Sequence, residues 1–450
     1  MTRQRVIVVG AGPAGLMAAI QAAEAGADVL LLEKMDRPGC KLRLTGHGRS
    51  NFTNTAPMAA FLQRFGAGAR FLRPALHQFF APELRAFFDA CGVRSVAEPD
   101  GRVFPVSDRA EDVVQALLRR CEQAGVKRRM GAAVTGLAVG QGRIDGVRLA
   151  SVAGAVGQGT PGTVLPADAV VVATGGLSYP ATGSTGDGYA WADAVGHTLV
   201  PTRPALVGLE TAFPATTAPE RRTPNADSPV LNTEHRTLNT HPPIQGVSLS
   251  GVRVRLRSGT RCVADTIGEM VFTHYGVSGP AVFSVSRAAV DALSAGDAVT
   301  LSMDLLPGVE DGALDARLLA EFAAHGRQFC RTVLEQFAPR ALVATCMAVA
   351  AIPEAKHASQ VTAVERRQVR QWLKDVRWTV TGSRSYAEAI VTAGGVDTRE
   401  VEPRTMGSRR LSGLFFAGEI LDIDADTGGY NLQAAFSTGW VAGRAAAERH

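Results

Sequence analysis

The fold is decided by the stretch RVIVVGAGPAGLMAAIQAAEAGADVLLLEK, residues 5–34. It begins with a continuous apolar run, RVIVVG, of the kind found in buried parallel strands. A segment with helical spacing, AGLMAAIQAAEAG, follows and ends in glycine, and ADVLLLEK indicates a second buried strand. The stretch therefore predicts a compact βαβ unit.

Three glycines stand where the first strand gives way to the helix. Gly10, Gly12 and Gly15 have the G-x-G-x-x-G spacing, and Glu33 ends the second strand. The first glycine permits a tight turn, the second lets the backbone approach a pyrophosphate, and the third lets helix and strand pack closely. The helix N-terminus attracts phosphate, and the Glu33 carboxylate is expected to accept hydrogen bonds from ribose hydroxyls. The pattern predicts a dinucleotide site.

Two later strands favour FAD over NAD as the dinucleotide. The segments VVVATGG, 170–176, and GLFFAGEIL, 413–421, are both buried strands that end in small residues. Glu419, directly after Gly418, is expected to bind the ribityl chain of a flavin, whereas NAD would need only the first glycine motif. No second G-x-G-x-x-G opens a helix, so a separate NADPH domain is not expected. NAD(P)H is expected at most as a transient electron donor, and another carrier could replace it.

Both ends of the chain have the α/β pattern of alternating strand and helix segments, and the middle of the chain interrupts this pattern. Runs such as GVSLSGVRVRL in the middle are β-type, and a later block has helical spacing. The stretch from Pro201 to about Pro243 is polar and lacks periodicity, and much of its segment PATTAPERRTPNADSPVLNTEHRTLNTHPP, 214–243, is predicted to be an exposed loop. The predicted boundaries are 1–200 with 386–450 for a discontinuous FAD-binding domain, 201–309 with 375–385 for an inserted β domain, and 310–374 for a helical insert.

The loop LTGHGRSNFTN, 44–54, follows the first βαβ unit and is expected to lie along the flavin ring. Gly46 and Gly48 would allow close backbone approach, and Asn51 and Asn54 would donate or accept at the polar edge of the ring. Arg49 is a candidate for binding phosphate, the flavin O2 atom or an anionic substrate, and the sequence does not choose among these.

The segment FTHYGVSGP places His274 and Tyr275 between β-type runs. Hydride delivery to a double bond or carbonyl requires a proton at the other end, so these two residues are candidate proton donors. A structural turn with a packed tyrosine explains the same pattern equally well.

The stretch LDIDADTGGYNLQ, 421–433, resembles a metal loop because three aspartates alternate in it. A calcium loop starting at Asp422 would require glycine at its sixth position and glutamate at its twelfth, where this chain has Thr427 and Gln433. No metal is therefore expected. The stretch is instead expected to open the final helix, whose N–H groups would face the flavin, with Asp426 or Thr427 as a cap.

Composition and charge restrict the class of protein. With 46% hydrophobic and 20% charged residues, the 450-residue chain is globular and not disordered. The net charge of +5 is spread along the chain, and the longest basic run, KRRM from Lys127, is short, so nucleic acid is not an expected partner. Six scattered cysteines form no CxxC pair and suit a reducing cytoplasm. No uncharged segment is long enough to span a bilayer.

The chain resembles the BaiN-like and YhiN-like conserved flavoproteins, often labelled NAD(P)/FAD-dependent or aminoacetone oxidases. The resemblance implies a Rossmann-like, glutathione-reductase-like FAD domain with an inserted β-barrel that carries a small helical bundle. Members often have cysteine at the GRCN position where this chain has Ser50, so a thiol role beside the flavin is in doubt. The resemblance is carried by GAGPAGLMAA, KLRLTGHGRSNFTN, DGRVFPVSDRAEDV, ATGGLSYPATGSTGDGYAWADAVGH, PALVGL, FTHYGVSGPAVFSVSR, VTAGGV and GEILDIDADTGGYNLQAAFSTGWVAG.

These observations together predict an FAD-dependent oxidoreductase acting on an apolar unsaturated or carbonyl small molecule. A flavin oxidase of a small amine or ketone is the alternative enzyme, and a flavin-based redox sensor or binding protein is the alternative outside enzymes. Candidate catalytic residues are Arg49, His274 and Tyr275. Candidate cofactor-binding residues are Gly10, Gly12, Pro13, Ala14, Gly15, Glu33, Lys34, Lys41, Thr45, Gly46, Gly48, Arg49, Ser50, Asn51, Ala133, Val134, Thr174, Gly175, Gly176, Gly418, Glu419, Gly429, Tyr430, Asn431 and Leu432.

Overall fold

The computed structural model describes residues 3–150, 163–212 and 244–448. The chain forms two compact units, Met1–Leu206 with Ser385–His450, and Val207–Arg384. The strands are β1 Arg5–Val9, β2 Asp28–Leu32, β3 Thr53–Asn54, β4 Ser95–Ala97, β5 Arg102–Pro105, β6 Lys127–Arg129, β7 Val134–Gly140, β8 Arg143–Leu149, β9 Val164–Pro166, β10 Ala169–Val172, β11 Leu199–Ala205, β12 Leu209–Ala212, β13 Ser248–Ser258, β14 Arg261–Phe272, β15 Gly276–Ser278, β16 Val299–Asp304, β17 Val376–Ser383, β18 Val391–Val396 and β19 Leu414–Phe416. The helices are α1 Pro13–Glu24, α2 Met58–Gln63, α3 Ala69–Gln78, α4 Ala81–Ala90, α5 Ala110–Gln123, α6 Asp187–Ala194, α7 Pro280–Ser294, α8 Asp311–Ala324, α9 Cys330–Leu334, α10 Arg340–Val349, α11 Ala363–Lys374 and α12 Tyr430–Ala447.

The first unit is built on a parallel sheet with the strand order β19-β10-β1-β2-β6. Val8 of β1 pairs with Val171 of β10 on one side and with Leu31 of β2 on the other. All three side chains are fully buried. Both faces of this sheet are covered, which explains why its central strands are continuous apolar runs. The sheet contains strands from both ends of the sequence, as the α/β style of those ends predicts.

Helices α1 and α12 pack against each other through glycine. A Cβ atom on Gly439 would overlap the carbonyl oxygen of Ala14, and one on Gly443 would overlap that of Ala18. Because neither glycine has a side chain, the two helix backbones approach closely. The start of α1 therefore lies against the middle of α12, and the first turns of α12 extend beyond it.

Smaller sheets complete the first unit. Strands β3, β5 and β4 form one antiparallel sheet, β7, β8 and β9 form a second, and β11 pairs with β18. Strands β7 to β9 pair antiparallel in sequence order, and the chain returns to the parallel sheet through β10.

The second unit contains a closed barrel in the order β12-β15-β14-β13-β16-β17. Helix α7 packs on it, and the helices α8 to α11 share its hydrophobic core. Val254, Leu256 and Leu301 are wholly buried inside, while the alternate positions Arg253 and Arg255 face outward. This alternation is the period of two expected of a barrel strand. Within the described residues, no helix is both long and apolar enough to cross a membrane.

The polar stretch from Pro201 to about Pro243 begins with two strands. Residues 201–205 belong to β11, which pairs with β18, and residues 209–212 form β12 of the barrel. Pairing with strands almost two hundred residues away stabilises these segments, and no local pattern in the sequence records it. The predicted loop, 214–243, lies outside the described residues.

Candidate functional site

The turn between β1 and α1 is shaped by glycine. Gly10 has a φ of 101°, and a Cβ atom there would overlap the carbonyl oxygen of Ala173. A Cβ atom on Gly15 would overlap the carbonyl oxygen of Gly10. Gly12 caps α1 without a side chain, and Pro13 follows it at the first helical position. The N-terminal N–H groups of α1 are therefore open to an anion.

The Glu33 carboxylate lies beside this turn. Its Oε2 atom accepts the backbone N–H of Ala11 at 2.7 Å, inside the glycine motif. Its backbone carbonyl accepts the N–H of Ala132 at 2.8 Å. The predicted residues Ala133 and Val134 are thereby brought to the same end of the sheet. The structure thus collects the glycine turn, the carboxylate and this segment where the adenosine end of a dinucleotide would bind.

Glu419 is held by groups from three distant segments. Its carboxylate accepts from Lys41 Nζ at 2.8 Å, from the Ser178 hydroxyl at 2.8 Å and from the backbone N–H of Thr392 at 2.8 Å. A Cβ atom on Gly175 would lie 3.9 Å from the same carboxylate. The structure therefore brings together the predicted residues Lys41, Gly175 and Glu419. The carboxylate anchors the strand ends to one another.

The loops after β10 and β19 leave no room for side chains. A Cβ atom on Gly418 would lie 2.8 Å from the Cβ of Ala14, at the start of α1. The side chain of Thr174 lies against Gly188 in the same way, and Gly176 is equally crowded. These glycines let the loops approach α1, so that a ligand on the helix N-terminus would also contact them.

The loop after β2 has an unusual run of left-handed backbone. Gly46, His47, Gly48 and Ser50 have φ values of 59°, 56°, 85° and 62°. For His47 and Ser50, which carry side chains, this conformation costs about 1–3 kcal/mol each and persists where the surroundings impose it, typically at functional sites. The Thr45 hydroxyl donates to the carbonyl of Leu42 at 2.6 Å and fixes the start of the run.

Within this loop, the environment of Ser50 is the least expected for its residue type. It is wholly buried, and its hydroxyl has no hydrogen-bond partner among the described residues. Next to it, Asn51 accepts the N–H of Val103 through Oδ1 at 3.2 Å. A Cβ atom on Gly429 would lie 2.8 Å from that same oxygen, and it would overlap the carbonyl of Thr53. The loop and the start of α12 are thus in contact.

The predicted side-chain cap of α12 is wrong. The cap residue is Gly429, with a φ of 92° and no capping side chain. Asp426 instead forms an ion pair with Arg64 at 3.3 Å. Among the described residues, no carboxylate therefore caps the N–H groups at the start of α12, as an anion-binding terminus requires. Among the residues that the structure describes, no group of three or more His, Cys, Asp and Glu side chains is arranged to hold a metal ion.

The side chains at the start of α12 serve the fold. The Tyr430 ring is buried against Phe61, with ring centroids 4.8 Å apart. The Asn431 amide accepts the N–H of Ala425 at 2.9 Å and donates to its carbonyl at 2.8 Å. Leu432 is half-buried against the core. Any cofactor contact from these predicted residues would therefore come from backbone N–H groups.

Two predicted cations are already paired. Lys34 Nζ lies 2.7 Å from Asp187 Oδ2. Arg49 donates to Glu98 at 2.8 Å and to Asp108 at 2.8 Å, and these hydrogen bonds raise the pKa of its guanidinium. With two carboxylates bound, Arg49 offers little net positive charge to a phosphate or an anionic substrate.

The candidates His274 and Tyr275 belong to the second unit, in the turn between β14 and β15. Their rings meet edge to face with centroids 5.0 Å apart. The guanidinium of Arg384 lies 4.6 Å from the centre of the Tyr275 ring, and the tyrosine hydroxyl abuts Gly208. His274 is exposed and Tyr275 is half-buried.

Sequence reasoning missed the partners of the predicted residues. Ser178 lies two positions after the ATGG motif, and Thr392 is the second residue of the VTAGG segment, so proximity to quoted motifs was a signal for both. The same signal existed for Glu98 and Asp108, which pair with Arg49, because Asp108 lies inside the quoted block DGRVFPVSDRAEDV and Glu98 lies two positions before it.

The residues present fit FAD. Two helix N-termini without acidic caps, a glycine turn without room for Cβ atoms and a carboxylate beside it are the groups that a dinucleotide requires. The buried Ser50 hydroxyl without a partner is a further indication, because buried polar groups are almost always hydrogen-bonded in a complete structure.

The comparison with known families agrees with this architecture. The family model described as the HI0933-like protein Rossmann domain matches residues 4–445. The chain belongs to this family. The predicted family resemblance, the Rossmann-like FAD-binding fold with its barrel and the enzyme class of FAD-dependent oxidoreductase are thereby confirmed.

Similar proteins of known name cover the whole chain. A 3-dehydro-bile acid delta(4,6)-reductase from Clostridium scindens is 32% identical over 99% of both chains. A ribosomal RNA dihydrouridine synthase from Escherichia coli is 30% identical over 98% of this chain and 97% of that one. Among solved structures, a 3-ketosteroid delta1-dehydrogenase from Sterolibacterium denitrificans superposes with a TM-score of 0.52 at 14% identity, covering 98% of this chain and 99% of that one. That last likeness concerns the fold alone.

Proposed function

We propose that the protein uses FAD to reduce a carbon–carbon double bond conjugated to a carbonyl group. The names of both full-length relatives support this reaction class. One describes reduction at positions 4 and 6 of 3-dehydro bile acids, and the other describes dihydrouridine formation in ribosomal RNA. Dihydrouridine is uridine in which the double bond conjugated to a ring carbonyl is saturated. Both names therefore describe the same bond change on different substrates.

The observation that carries FAD binding is the buried hydroxyl of Ser50. It lies in a strained loop that contacts the start of α12, and it has no partner among the described residues. In this proposal it donates to the ring system of the flavin. The N–H groups at the start of α12 would hold the polar edge of that ring and stabilise the negative charge that it gains on reduction.

Bound and reduced FAD supplies the hydride. The protein's own residues bind and orient. Glu33 accepts from the ribose, the N-terminus of α1 binds the pyrophosphate, and Glu419 with Lys41 and Ser178 keeps the loops in place around the ribityl chain. The proton for the second carbon is assigned to Tyr275, with His274 as the alternative donor.

Two substrate classes agree with the names of the relatives. An apolar unsaturated small molecule is the class expected from the sequence, and the Clostridium relative supports it. A uracil base within RNA is the second class, and the Escherichia coli relative supports it. Small amines are not supported by either name.

The test is to reduce the FAD-loaded protein anaerobically and mix it with candidate acceptors. A 3-keto-Δ4 steroid, cyclohexenone and protein-free ribosomal RNA are each added, and the return of flavin absorbance near about 450 nm is followed. Reoxidation by one of them, with the saturated product found by mass spectrometry, is the expected result. Reoxidation by oxygen with peroxide release and by no unsaturated acceptor would contradict the proposal.

The role of Tyr275 is tested separately. Tyr275→Phe removes the hydroxyl and keeps the ring under Arg384. We expect unchanged FAD content and about 10²-fold slower reduction of the acceptor, in the range of general acid catalysis. His274→Gln is the companion variant, and normal turnover in both variants would remove them from the mechanism.

A further inference from the structure

Helix α3 carries a basic patch, which we define as Arg70, Arg73 and His77 with Arg404 from the other end of the first unit. The three helical positions lie on one face, because residues three and four apart are neighbours on a helix. All four side chains are exposed. Arg73, His77 and Arg404 line an open cleft of about 510 Å³ together with Pro74 and Gln78. The Gln78 amide donates to the carbonyl of Arg404 at 3.2 Å and holds the two segments together.

The arginines of the basic patch are not neutralised. Within residues 3–150, 163–212 and 244–448, no carboxylate lies within 4.0 Å of a side-chain nitrogen of Arg70, Arg73 or Arg404. The nearby acids are used elsewhere, since Asp426 pairs with Arg64 and Glu402 pairs with Arg409. Like charges on adjacent turns of a helix repel each other and destabilise it. A bound polyanion would remove this repulsion.

The C-terminal end of α3 lies beside the middle of α12. The carbonyl of Phe79, directly after α3, accepts the hydroxyl of Ser437 at 2.7 Å, and the Phe79 ring stacks on Trp440 with centroids 5.5 Å apart. Ser437 lies seven residues into α12, roughly 10 Å along the helix from the end that faces the flavin site. A nucleotide chain with one base at that end is long enough to contact the patch as well.

We propose that the basic patch binds the sugar–phosphate backbone of an RNA substrate whose uracil base is reduced at the flavin. Guanidinium groups bind phosphate oxygens through paired N–H donors, and such contacts position a nucleic acid without reading its sequence. The inference deepens the proposed function and rests on it for the reaction. It opposes the expectation from the sequence that nucleic acid is not a partner.

An anionic membrane is the competing occupant, and the surface does not favour it. Membrane-surface binding by a helix requires large apolar side chains beside the basic ones. Among the described residues, the exposed large hydrophobic side chains, such as Leu44 and Val96, lie outside α3 and outside 402–405.

The test measures binding without turnover. The oxidised, FAD-loaded protein is titrated with a labelled single-stranded RNA of mixed sequence between about 50 and 200 mM salt. The patch variant is Arg73→Glu with Arg404→Glu, and the matched control is Arg94→Glu, an exposed arginine outside the patch. We expect the patch variant to bind at least tenfold more weakly and to lose about 1–2 from the slope of log K against log salt. The control is expected to stay within twofold of the wild type.

Equal RNA affinity in the patch variant and the control would overturn the proposal. So would loss of binding to vesicles of phosphatidylglycerol and phosphatidylcholine in the patch variant while its RNA binding is kept. Reduction of cyclohexenone is measured in parallel, and the patch variant is expected to retain it, which supports a docking role. If no form of the protein reduces any enone, the proposed function fails, and the RNA titration still decides the binding surface by itself.

Discussion

Gly439 of α12 lies directly on the carbonyl oxygen of Ala14 in α1, with no space for even a methyl group between them. Gly439→Ala would normally stabilise a helix, because alanine has the higher helix propensity. Here the added Cβ would force the helices apart, so we expect the free energy of unfolding to fall by about 1–3 kcal/mol. FAD affinity should fall as well, since both helix N-termini face the candidate site. Thermal unfolding and FAD titration measure the two effects.

The matched control for this prediction is Gly312→Ala in α8. Nothing lies within 4 Å of a Cβ atom at Gly312. The substitution should therefore raise the free energy of unfolding by up to about 1 kcal/mol and leave FAD affinity unchanged. If the Gly439→Ala protein were as stable as this control, the contact between α1 and α12 would have room for the added methyl group.

The Ser50 hydroxyl should have opposite effects on the apoprotein and the FAD-loaded protein. Ser50→Ala removes a buried hydroxyl that has no described partner, so the apoprotein should gain about 1 kcal/mol in the free energy of unfolding. If the flavin is the missing partner, FAD should bind about fivefold to tenfold more weakly to the variant. Calorimetric unfolding without FAD and equilibrium dialysis with FAD separate the two effects.

Thr345→Val provides the comparison for Ser50. The Thr345 hydroxyl is also buried without a described partner, but it belongs to the other unit. Its removal should stabilise the apoprotein without any change in the dissociation constant of FAD. Equal FAD affinity in Ser50→Ala and the wild type would rule out a hydrogen bond from Ser50 to the cofactor.

The ion pair between Lys41 and Glu419 should behave as a mostly buried pair. Both side chains are only about 20% exposed, at 21% and 20%. Lys41→Met would leave the carboxylate without its cation, and we expect a loss of about 2 kcal/mol in the free energy of unfolding, less than for fully buried pairs. Adding Glu419→Gln to Lys41→Met should recover part of the loss, since the amide needs no counterion. Urea unfolding of the four proteins of this cycle measures the coupling.

Lys127→Met is the control for that cycle. Lys127 pairs with Asp28 at the same distance of 2.8 Å, but its side chain is 68% exposed. Loss of this pair should cost less than about 1 kcal/mol. Equal losses in the free energy of unfolding for Lys41→Met and Lys127→Met would mean that burial does not strengthen the pair of Lys41 and Glu419.

A buried histidine should make the stability depend on pH. His197 has a wholly buried side chain, with Nε2 2.7 Å from the Ser408 hydroxyl and Nδ1 3.2 Å from a Glu400 carboxylate oxygen. The Ser408 oxygen accepts the N–H groups of Arg410 and Leu411, so its proton is directed at Nε2. Burial lowers the pKa of His197, although Glu400 opposes this. Hydrogen bonds, chiefly from Arg410, lower the pKa of Glu400 to about 2, so it stays ionised near neutrality.

The sign of this dependence follows from proton uptake. The unfolded chain, with a histidine pKa of about 6.5, binds the proton before the folded protein does. Stability that is present above pH ~6.5 is therefore lost as the pH falls below it. The wild type should lose more in Tm between about pH 7.5 and 5.5 than His197→Gln does. His325→Gln, at a half-exposed histidine, should retain the wild-type slope.

Local patterns predicted the first unit because they act over a few residues. Only α1 and β2 separate the glycines after β1 from Glu33, so the order of residues alone predicts that they lie close together. The partners of Glu419 are different. Ser178 is 241 residues away from it, and no short pattern records that such a pairing will form. The packing of the whole sheet creates it.

The charged residues show even more clearly that short sequence patterns do not record tertiary contacts. Arg49 stood out in a motif-rich loop, but folding places Glu98 and Asp108 against it and neutralises it. Arg73 and Arg404 stood out in no motif, and folding brings them to one cleft. Neutralisation and clustering of charge depend on tertiary contacts, so they cannot be read from a one-dimensional distribution of basic residues.

The order of synthesis adds a constraint that follows from the sheet. Strand β19, residues 414–416, occupies the edge next to β10, and α12 supplies one wall of the candidate site. Domains usually fold as units while the chain emerges from the ribosome. Here the parallel sheet lacks an edge strand, and the site lacks a wall, until residues 414–447 have been made. Cofactor loading must therefore follow translation of these residues, and a chain stalled before them would expose the apolar edge of β10 to chaperones or to aggregation.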